Sequence, residues 1–427
     1  MAGVAPGKTY TPGLDFSNQS YSNLSQKFET DVKTAHDIIR EKLPLLGELK
    51  ALLQITFGDK PPFWIDARSG TATILESCSD EPDTKLTIKP EYISQFYENK
   101  LEPRYGLFKD AFFNEASMPQ GKVPVAIKFA DLLTPVPPVA PKHADQFPRL
   151  PEATEDIEQV KRDIKEFGYG IVKNVLSPEQ VAIMKKAVQE QAAGEREAGI
   201  AQVDGGATGP NQRIWTLINK GDDFLDLLNH PLIDEMVPWC LGEHAVITTY
   251  TANIARPGNV PMQLHTDQVA VQPPIRDLAF GMNMMFYLED ITEANGGTRV
   301  YPGSHIGPIA PPDIFTVEGT VAAAAPAGSC LVFESRLWHA TGPNVEKSGE
   351  RPVILLFFMR SFIRQQENNF LSLRKDVWPK LSDRHKRMLG FYTTGALGGV
   401  DGEVREGLFV EWKEGVGKMR APHKPLA

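Results

Sequence analysis

The chain has 427 residues, of which 41% are hydrophobic and 23% are charged, and a formal net charge of −9. This composition excludes a disordered or fibrous chain, and the acidic balance argues against broad nucleic-acid binding, which needs a basic surface. The three cysteines, Cys78, Cys240 and Cys330, are too few and too scattered for a disulfide framework or a cysteine zinc site. A chain of this length exceeds one ordinary core, so we expect two domains.

The N-terminal part of the chain carries helix and strand signals in turn. Residues 1–27 are polar and predict a flexible arm. Residues 28–57 have apolar side chains at helical spacing, which predicts a helix that Pro44 and Gly47 split or kink. Short strand-like runs, two helical segments, a strand and a last helix follow. We therefore expect an α+β domain over 28–133.

A proline-rich stretch at 134–151, TPVPPVAPKHADQFPRLP, marks a boundary. Proline fixes φ and lacks an N–H donor, so this run cannot continue a helix or a central strand. We predict a stiff, extended linker. Residues 152–427 would then form the second domain.

The second domain opens with helices and then becomes rich in strands. Residues 155–167 have an amphipathic helical pattern. Ser177, Pro178 and Gln180 predict a second helix that begins with a capping box. After residue 210, short apolar runs separated by Gly and Pro predict a double-sheet β-fold such as a jelly roll, flanked by these helices.

Two residues in segment 263–268, QLHTDQ, could bind a metal together. In a strand, residues i and i+2 point to the same face, so His265 and Asp267 would project side by side. A distant histidine would complete the two-histidine, one-carboxylate set that is typical of non-haem iron(II) oxygenases. The best candidate is His339 in LWHATGPN, which follows the apolar run GSCLVFES.

A single arginine, Arg351, opens the strongly apolar run after His339. A guanidinium there is costly unless it pairs with an anion, and its two parallel N–H groups suit a carboxylate. We expect Arg351 to bind the distal carboxylate of 2-oxoglutarate, whose 2-oxo acid end would bind the iron. The alternative is that His265 ends a strand, Asp267 lies in a turn and Arg351 is a surface cation.

Residues from about 155 to 365 resemble the phytanoyl-CoA dioxygenase family of iron- and 2-oxoglutarate-dependent enzymes. The resemblance rests on EFGYGIVKNVLSPEQ, QLHTDQ, NGGTRVYPGSH and LWHATGPN followed by Arg351, in the family's order. It implies a double-stranded β-helix, iron ligands at His265, Asp267 and His339, and 2-oxoglutarate at Arg351. The implied cofactors are Fe(2+), 2-oxoglutarate and O2, with ascorbate as a supporting reductant.

Further residues of this segment are candidate contacts for the co-substrate or the substrate. The resemblance implies that Thr298 hydrogen-bonds the co-substrate. Gln263 is a second candidate, although the family's glutamine often stands one residue earlier, where this chain has Met262. Four residues are candidate substrate contacts that could also be structural: Asn283, Tyr250, Arg213 and Trp215.

The first domain, about 30–133, is similar to the sterol carrier protein type-two lipid-binding fold. The similarity rests on PFWIDARSGTATILESCSDEPDTKLTIKPEYISQFYENKLEP and the Gly-Lys strand at 121–129 that follows it. It implies a hydrophobic tunnel and, by itself, no catalysis.

These features together predict an oxygenase that couples decarboxylation of 2-oxoglutarate to oxidation of an apolar or lipid-like small molecule, with release of succinate and CO2. Asp267 favours hydroxylation, since halogenating relatives lack this carboxylate, while desaturation and rearrangement stay open. One alternative is a lipid-binding or transfer protein whose oxygenase-like domain is inactive. Another is a metal-dependent isomerase of the cupin type.

The expected partners are small molecules, with no nucleic acid, and the oligomeric state stays open. The sequence has no run of about 18 apolar residues, so we expect no membrane span. It has no secretory signal pattern, so we expect an intracellular protein, cytoplasmic by default. The terminal HKPLA is not of the Ser-Lys-Leu type, which leaves a peroxisomal location open.

Overall fold

The computed structural model describes residues 19–101, 103–108, 118–135, 140–206, 208–270, 277–307, 310–311, 313–394 and 397–398. The chain divides into two compact units, residues 1–138 and 139–427. Among the described residues, no helix has both the length and the apolar character needed to cross a bilayer.

The first unit is an α+β structure built on a five-stranded sheet. Its helices are α1 Gln19–Leu46, α2 Pro90–Tyr97, α3 Pro103–Phe108 and α4 Val123–Leu133. Its strands are β1 Leu52–Thr56, β2 Phe63–Asp66, β3 Thr73–Leu75, β4 Thr84–Thr87 and β5 Gln120–Gly121. The strand order is β3-β2-β1-β4-β5, with β1 and β4 parallel and the other pairs antiparallel.

The first helix differs from its prediction at both ends. It begins at Gln19, inside the predicted arm, because no Gly or Pro interrupts the chain between Leu14 and Leu43. It ends at Leu46 instead of continuing to residue 57, and the following residues form β1. Gly47 directly follows the helix, and only glycine fits there, since a Cβ would lie 2.3 Å from the Gly70 carbonyl oxygen.

The second unit contains two sheets and a set of helices. The helices are α5 Ile157–Phe167, α6 Pro178–Glu197, α7 Asp222–Leu227, α8 Pro231–Leu241, α9 Asn369–Ser372 and α10 Asp383–Met388. The strands are β6 Tyr169–Val172, β7 Gln202–Asp204, β8 Asn211–Ile214, β9 Ala245–Ala255, β10 Gly281–Tyr287, β11 Thr298–Val300, β12 Val321–Ala322, β13 Cys330–Glu334, β14 His339–Thr341 and β15 Arg351–Arg360.

The larger sheet has seven antiparallel strands in the order β6-β13-β10-β15-β9-β8-β7, and the smaller one has the order β12-β11-β14. One face of the larger sheet, with Ile254 and Met284, packs against helical residues such as Met236. The other face, with Met285, packs with Val300 of β11. We call this second face the inner face. The predicted double-sheet β-fold with flanking helices is confirmed.

The capping box predicted for α6 is also present. The Gln180 backbone N–H donates to Ser177 Oγ at 3.3 Å, and the Ser177 N–H donates to Gln180 Oε1 at 2.8 Å. Pro178 occupies the first helical turn, where its missing N–H has no partner to lose. The local sequence thus sets the start of this helix.

The predicted linker is described over 134–135 and 140–151, and over 140–151 it is not a free spacer. Phe147 packs edge-on against Phe167 of α5, with ring centroids 5.7 Å apart. Arg149 forms ion pairs with Asp163 at 2.8 Å and Glu166 at 2.7 Å. An aromatic ring and an arginine therefore hold this proline-rich segment on the second unit. Residues 136–139 lie outside the described residues.

Candidate active site

A single antiparallel bridge brings the two candidate histidines together. The His265 N–H donates to the His339 carbonyl and the His339 N–H donates to the His265 carbonyl, each at 3.0 Å. The two imidazole centroids are 4.4 Å apart. The prediction of a strand across 263–268 is wrong, because Asp267 begins a 3-10 helix, Asp267–Ala270. A turn, and not strand alternation, brings its carboxylate next to the imidazoles.

Backbone carbonyls orient both imidazole rings. His265 Nδ1 lies 3.0 Å from the Gln263 oxygen, and His339 Nδ1 lies 3.0 Å from the Leu337 oxygen. A carbonyl only accepts, so each Nδ1 carries the proton and each Nε2 presents a lone pair. The two Nε2 atoms face the carboxylate of Asp267, at 3.6 Å from Oδ1 and 3.5 Å from Oδ2.

The carboxylate of Asp267 is itself held in place. Asn283 on β10 donates from Nδ2 to Asp267 Oδ2 at 2.6 Å. The next residue, Gln268, fixes the turn: its N–H donates to the Ser335 carbonyl, and its Oε1 accepts from the N–H of Phe280. The ligand atoms of His265, Asp267 and His339 all lie within 4.8 Å of one another. Two neutral nitrogens and one carboxylate oxygen at this spacing suit a first-row divalent metal ion.

The protonation of His265 also favours metal binding. Burial, and then the charge of His339, lower the pKa of His265 to about 4, although Asp267 acts in the opposite direction. The imidazole is therefore neutral at neutral pH. Neutral imidazole is the form that ligates metals.

The guanidinium of Arg351 is buried, with only 1% of the residue exposed. Its Nη2 donates to the Gly296 carbonyl at 2.7 Å, while its buried Nε has no hydrogen-bond partner. Among the described residues, no carboxylate forms an ion pair with it. Burial lowers the pKa of Arg351 to about 10, so the group remains charged at neutral pH. The alternative that Arg351 is a surface cation is therefore wrong. A bound anion would stabilise its buried charge.

Arg213 and Trp215 lie on or just after β8, towards the edge of the larger sheet. Arg213 pairs in register with Asn253 of β9, and Asn253 pairs with Val353 of β15. Cross-strand partners share a face, so Arg213 is on the inner face with Arg351. Its guanidinium carbon is 5.6 Å from the Trp215 ring centroid. The Trp215 indole N–H donates to the side chain of Gln202.

Three other residues were predicted to contact the substrate or co-substrate, and their described side chains or backbones make different contacts. Tyr250 is on the helix-packed face, with its hydroxyl donating to the Phe224 carbonyl at 2.8 Å, so its prediction as a pocket residue is wrong. The Thr298 hydroxyl donates to Met285 Sδ at 3.3 Å. Gln263 is exposed, and its described contact to the site is made by its carbonyl.

Two contributors to the site were missed from the sequence. Gln268 directly follows the candidate ligand Asp267, but its burial and its distant hydrogen bonds leave no signal in the local sequence. The carbonyl of Gly296 also leaves no signal, because any residue has a carbonyl. What distinguishes Gly296 is a left-handed φ of 86°.

A family model described as "Phytanoyl-CoA dioxygenase (PhyH)" matches residues 164–352, which include the three candidate metal ligands and Arg351. Dioxygenase af480 from Aspergillus fumigatus is 28% identical over 247 residues, 56% of this chain and 78% of that protein. Dioxygenase sphC from Aspergillus fumigatus is 27% identical over 302 residues, 64% of this chain and 73% of that protein. The crystal structure of the non-heme alpha ketoglutarate dependent carbocyclase SnoK from nogalamycin biosynthesis is 18% identical with a TM-score of 0.41, covering 57% of this chain and 94% of that one.

Proposed function

We propose that His265, Asp267 and His339 bind the iron, because residues 164–352, which match the phytanoyl-CoA dioxygenase family model, contain all three. The chain is an enzyme, a non-haem iron dioxygenase that depends on 2-oxoglutarate. The observation that carries the residue assignment is the convergence of two Nε2 atoms and one carboxylate within 4.8 Å. Because Asn283 and two backbone carbonyls orient these groups, the set is preorganised for a metal ion.

Arg351 is our candidate for the distal carboxylate of 2-oxoglutarate. It is a buried cation with an unsatisfied Nε, and no described carboxylate neutralises it. A carboxylate that accepted from Nε would meet that hydrogen-bonding need and offset the charge. Thr298 and Gln263 stay predictions as co-substrate contacts.

Bound iron(II) would supply the oxidative chemistry, and the residues of the chain would determine what it acts on. His265 and His339 would keep Nε2 free of protons, since each Nδ1 proton is held by a carbonyl. Asn283 would hold the Asp267 carboxylate in one orientation. The inner face, with apolar residues such as Phe333, whose ring centroid is 4.6 Å from that of His339, would limit access of water.

We further propose that the substrate is a small molecule with an apolar part. O2 would supply one oxygen atom for its hydroxylation and the other for the conversion of 2-oxoglutarate to succinate and CO2. The half-buried indole of Trp215 beside Arg213 supports an apolar contact. Asn283 would act on Asp267, and not on the substrate.

The first unit, with the domain bounds 28–133, remains a proposed lipid-binding domain. Its support is the α+β order and the five-stranded sheet, and the family match begins only at residue 164. A fluorescent fatty-acid analogue titrated into the full chain would test it, and no saturable binding would contradict it. An intracellular location likewise remains a prediction that rests on three free cysteines.

The test of the main proposal is succinate formation from 2-oxoglutarate by purified protein with iron(II) and ascorbate. We expect His265→Ala to abolish succinate formation and to lose iron during desalting. The matched control is His244→Ala, because His244 is exposed and outside the candidate ligand set. Full turnover and full iron retention in His265→Ala would remove the assignment.

A further inference from the structure

We infer that the second unit docks on an anionic lipid membrane through the surface around Phe370 and Leu371. We call these two residues the apolar pair and residues 364–392, which contain it, the basic segment. The inference goes beyond the proposed function, because it concerns how the chain meets an apolar phase and uses none of the candidate iron ligands. It follows from the exposure, the rigid support and the charge of this surface.

The apolar pair differs from other apolar side chains in its exposure to water. Leu371 is 84% exposed, more than any other large apolar residue among those that the structure describes, and Phe370 is 60% exposed. Single exposed apolar side chains are common on protein surfaces, whereas adjacent ones form a patch that marks contact with a partner or a membrane. Removing their surface from water would favour association. The pair therefore indicates an apolar partner.

Aromatic packing holds the apolar pair in place. Phe370 packs edge-on against Phe391 with ring centroids 4.8 Å apart, and Phe391 packs against Trp378 at 5.0 Å. Trp378 and Phe391 in turn pack against the hydrophobic core of the second unit. The Asn219 side chain donates to the Ser372 carbonyl at 2.7 Å, which fixes the end of α9. Because α9 is held in one position, binding would cost little conformational entropy.

The basic segment differs in charge from the chain as a whole. It contains seven Lys or Arg and three Asp or Glu, while the whole chain has a formal net charge of −9. Glu367, one of its three acids, is buried and accepts from the Tyr250 N–H. An anionic membrane repels an acidic chain, so a local basic surface determines which side of the chain approaches it.

The uncompensated charge of the basic segment lies with Lys375 and Arg387. Both are exposed, and neither forms an ion pair with any residue that the structure describes. Two other cations of the segment form ion pairs with acids outside it, each at 2.6 Å: Lys380 with Asp222 and Arg384 with Asp234. These two pairs offset part of the positive charge, and Lys375 and Arg387 remain for an external anion.

A lipid surface matches both the apolar pair and the basic segment. Lys386 Nζ lies 4.7 Å from the Trp378 ring centroid, in the aromatic cluster that supports the pair. An indole, a lysine and exposed apolar side chains together are typical of proteins that bind at the membrane–water interface. A nucleic acid would meet the cations but offers no aliphatic surface to Leu371. Anionic headgroups would meet the cations while the apolar pair enters the acyl boundary.

The experiment measures binding of the full chain to sedimenting vesicles of phosphatidylcholine, with and without about one third phosphatidylserine. We expect wild type to bind the anionic vesicles about tenfold or more tightly, and high salt to reduce the difference. Leu371→Ser should lower the affinity for anionic vesicles about tenfold, whereas Leu371→Trp should retain it. Lys375→Gln combined with Arg387→Gln should also lower it about tenfold or more.

The matched control is the loop that contains Val345 and Lys347. Val345 is 72% exposed and Lys347 is also exposed, but the acidic Glu346 and Glu350 belong to the same loop. Val345→Ser combined with Lys347→Gln should therefore bind vesicles as wild type does. Thermal unfolding of each variant checks that it folds, which we expect because the replaced side chains are exposed.

Vesicle binding that is lost in Leu371→Ser and in the double charge variant, but kept in the control, supports the inference. Absence of wild-type binding to anionic vesicles overturns it. Binding that either Leu371→Ser or the double charge variant leaves unchanged also overturns it, and so does an equal loss in the control. A fluorescent single-stranded DNA is titrated in parallel. Equally tight DNA binding that depends on Lys375 and Arg387 but not on Leu371 would assign the surface to a polyanion and overturn lipid docking.

Discussion

Two arginines on the inner face of the larger sheet differ in how firmly the protein holds them. Arg351 on β15 is 1% exposed and donates to the Gly296 carbonyl. Arg213 on β8 is half-buried, lines a cavity and bonds no described residue. A fixed cation suits one invariant anion, and an open cation suits a ligand that enters and leaves. The comparison teaches that a buried arginine at the centre of the sheet keeps one fixed orientation, while an arginine near its edge stays accessible from a cavity.

The largest expected effect is that of replacing Arg351, which lies on the central strand of the larger sheet. Arg351→Gln should weaken 2-oxoglutarate binding by about 2–5 kcal/mol, roughly 30-fold or more, because it removes one partner of a buried charge pair. The measurement is calorimetric titration of 2-oxoglutarate into the iron-loaded protein. Arg374→Gln is the control, since that side chain is exposed and paired with Asp376. Unchanged 2-oxoglutarate affinity in Arg351→Gln would show that Arg351 does not bind the co-substrate, which would then bind away from β15.

The next effect concerns the support of the metal ligand. Asn283→Ala removes the hydrogen bond of 2.6 Å to Asp267 and should lower iron affinity about 10–100-fold. The measurement is competition for iron(II) against a chelator of known affinity. Asn368→Ala is a matched control, because Asn368 is exposed and does not contact the site. Iron affinity equal to wild type in both variants would mean that Asp267 orients itself without Asn283.

The third effect concerns the turn after β8, which Glu367 holds. Its Oε1 accepts from the Thr216 N–H at 2.7 Å, and its Oε2 accepts from the Tyr250 N–H at 3.0 Å. Thr216 has a left-handed φ of 55°, which few side chains favour. Glu367→Gln would turn an amide towards one of these donors, so the free energy of unfolding should fall by about 1–3 kcal/mol. Denaturant unfolding measures this.

The same carboxyl predicts a pH dependence. Burial raises the pKa of Glu367 above its ordinary value of 4.5, against the lowering effect of its hydrogen bonds. The folded pKa is thus above the unfolded one, so this contribution to stability is complete below pH 4.5 and is lost as pH rises through the folded pKa. The stability difference between wild type and Glu367→Gln should therefore shrink from pH 4.5 upwards. A stability difference that grows with pH would contradict a buried Glu367 carboxyl with a raised pKa.

The sequence was sufficient to predict the general fold and to predict that His265, Asp267 and His339 lie close together, because both leave chemical signals along the chain. His265 and Asp267 are two residues apart, His339 follows the apolar run GSCLVFES, and Arg351 heads an apolar strand. Strand alternation predicted that His265 and Asp267 lie together, and they do, but a turn and not a strand brings them together. The turn at Asp267 depends on Gln268 bonding to residues far away in sequence, which no local pattern reveals.

The sequence of β9 does not show which of its residues lie on the inner face of the sheet. Its eleven residues are buried on both faces except for the half-buried first one, so polarity does not mark the inner side. The sequence therefore could not show which of Tyr250 and Asn253 lies on the inner face. Only the register with β8 and β15 separates them. In the linker the local signal was strong but incomplete. Its prolines predicted an extended spacer, and they gave no sign that Phe147 and Arg149 pack against α5.

The smallest expected effect tests this face assignment. Tyr250→Phe removes a hydroxyl that donates to the Phe224 carbonyl at 2.8 Å and keeps the ring that packs edge-on against Phe224. The free energy of unfolding should fall by about 0.5–1.5 kcal/mol, with succinate formation unchanged. Since Tyr250 is on the helix-packed face and Arg351 is on the inner face, 2-oxoglutarate affinity should also be unchanged. A variant with wild-type stability but altered 2-oxoglutarate affinity would contradict the assignment of Tyr250 to the helix-packed face.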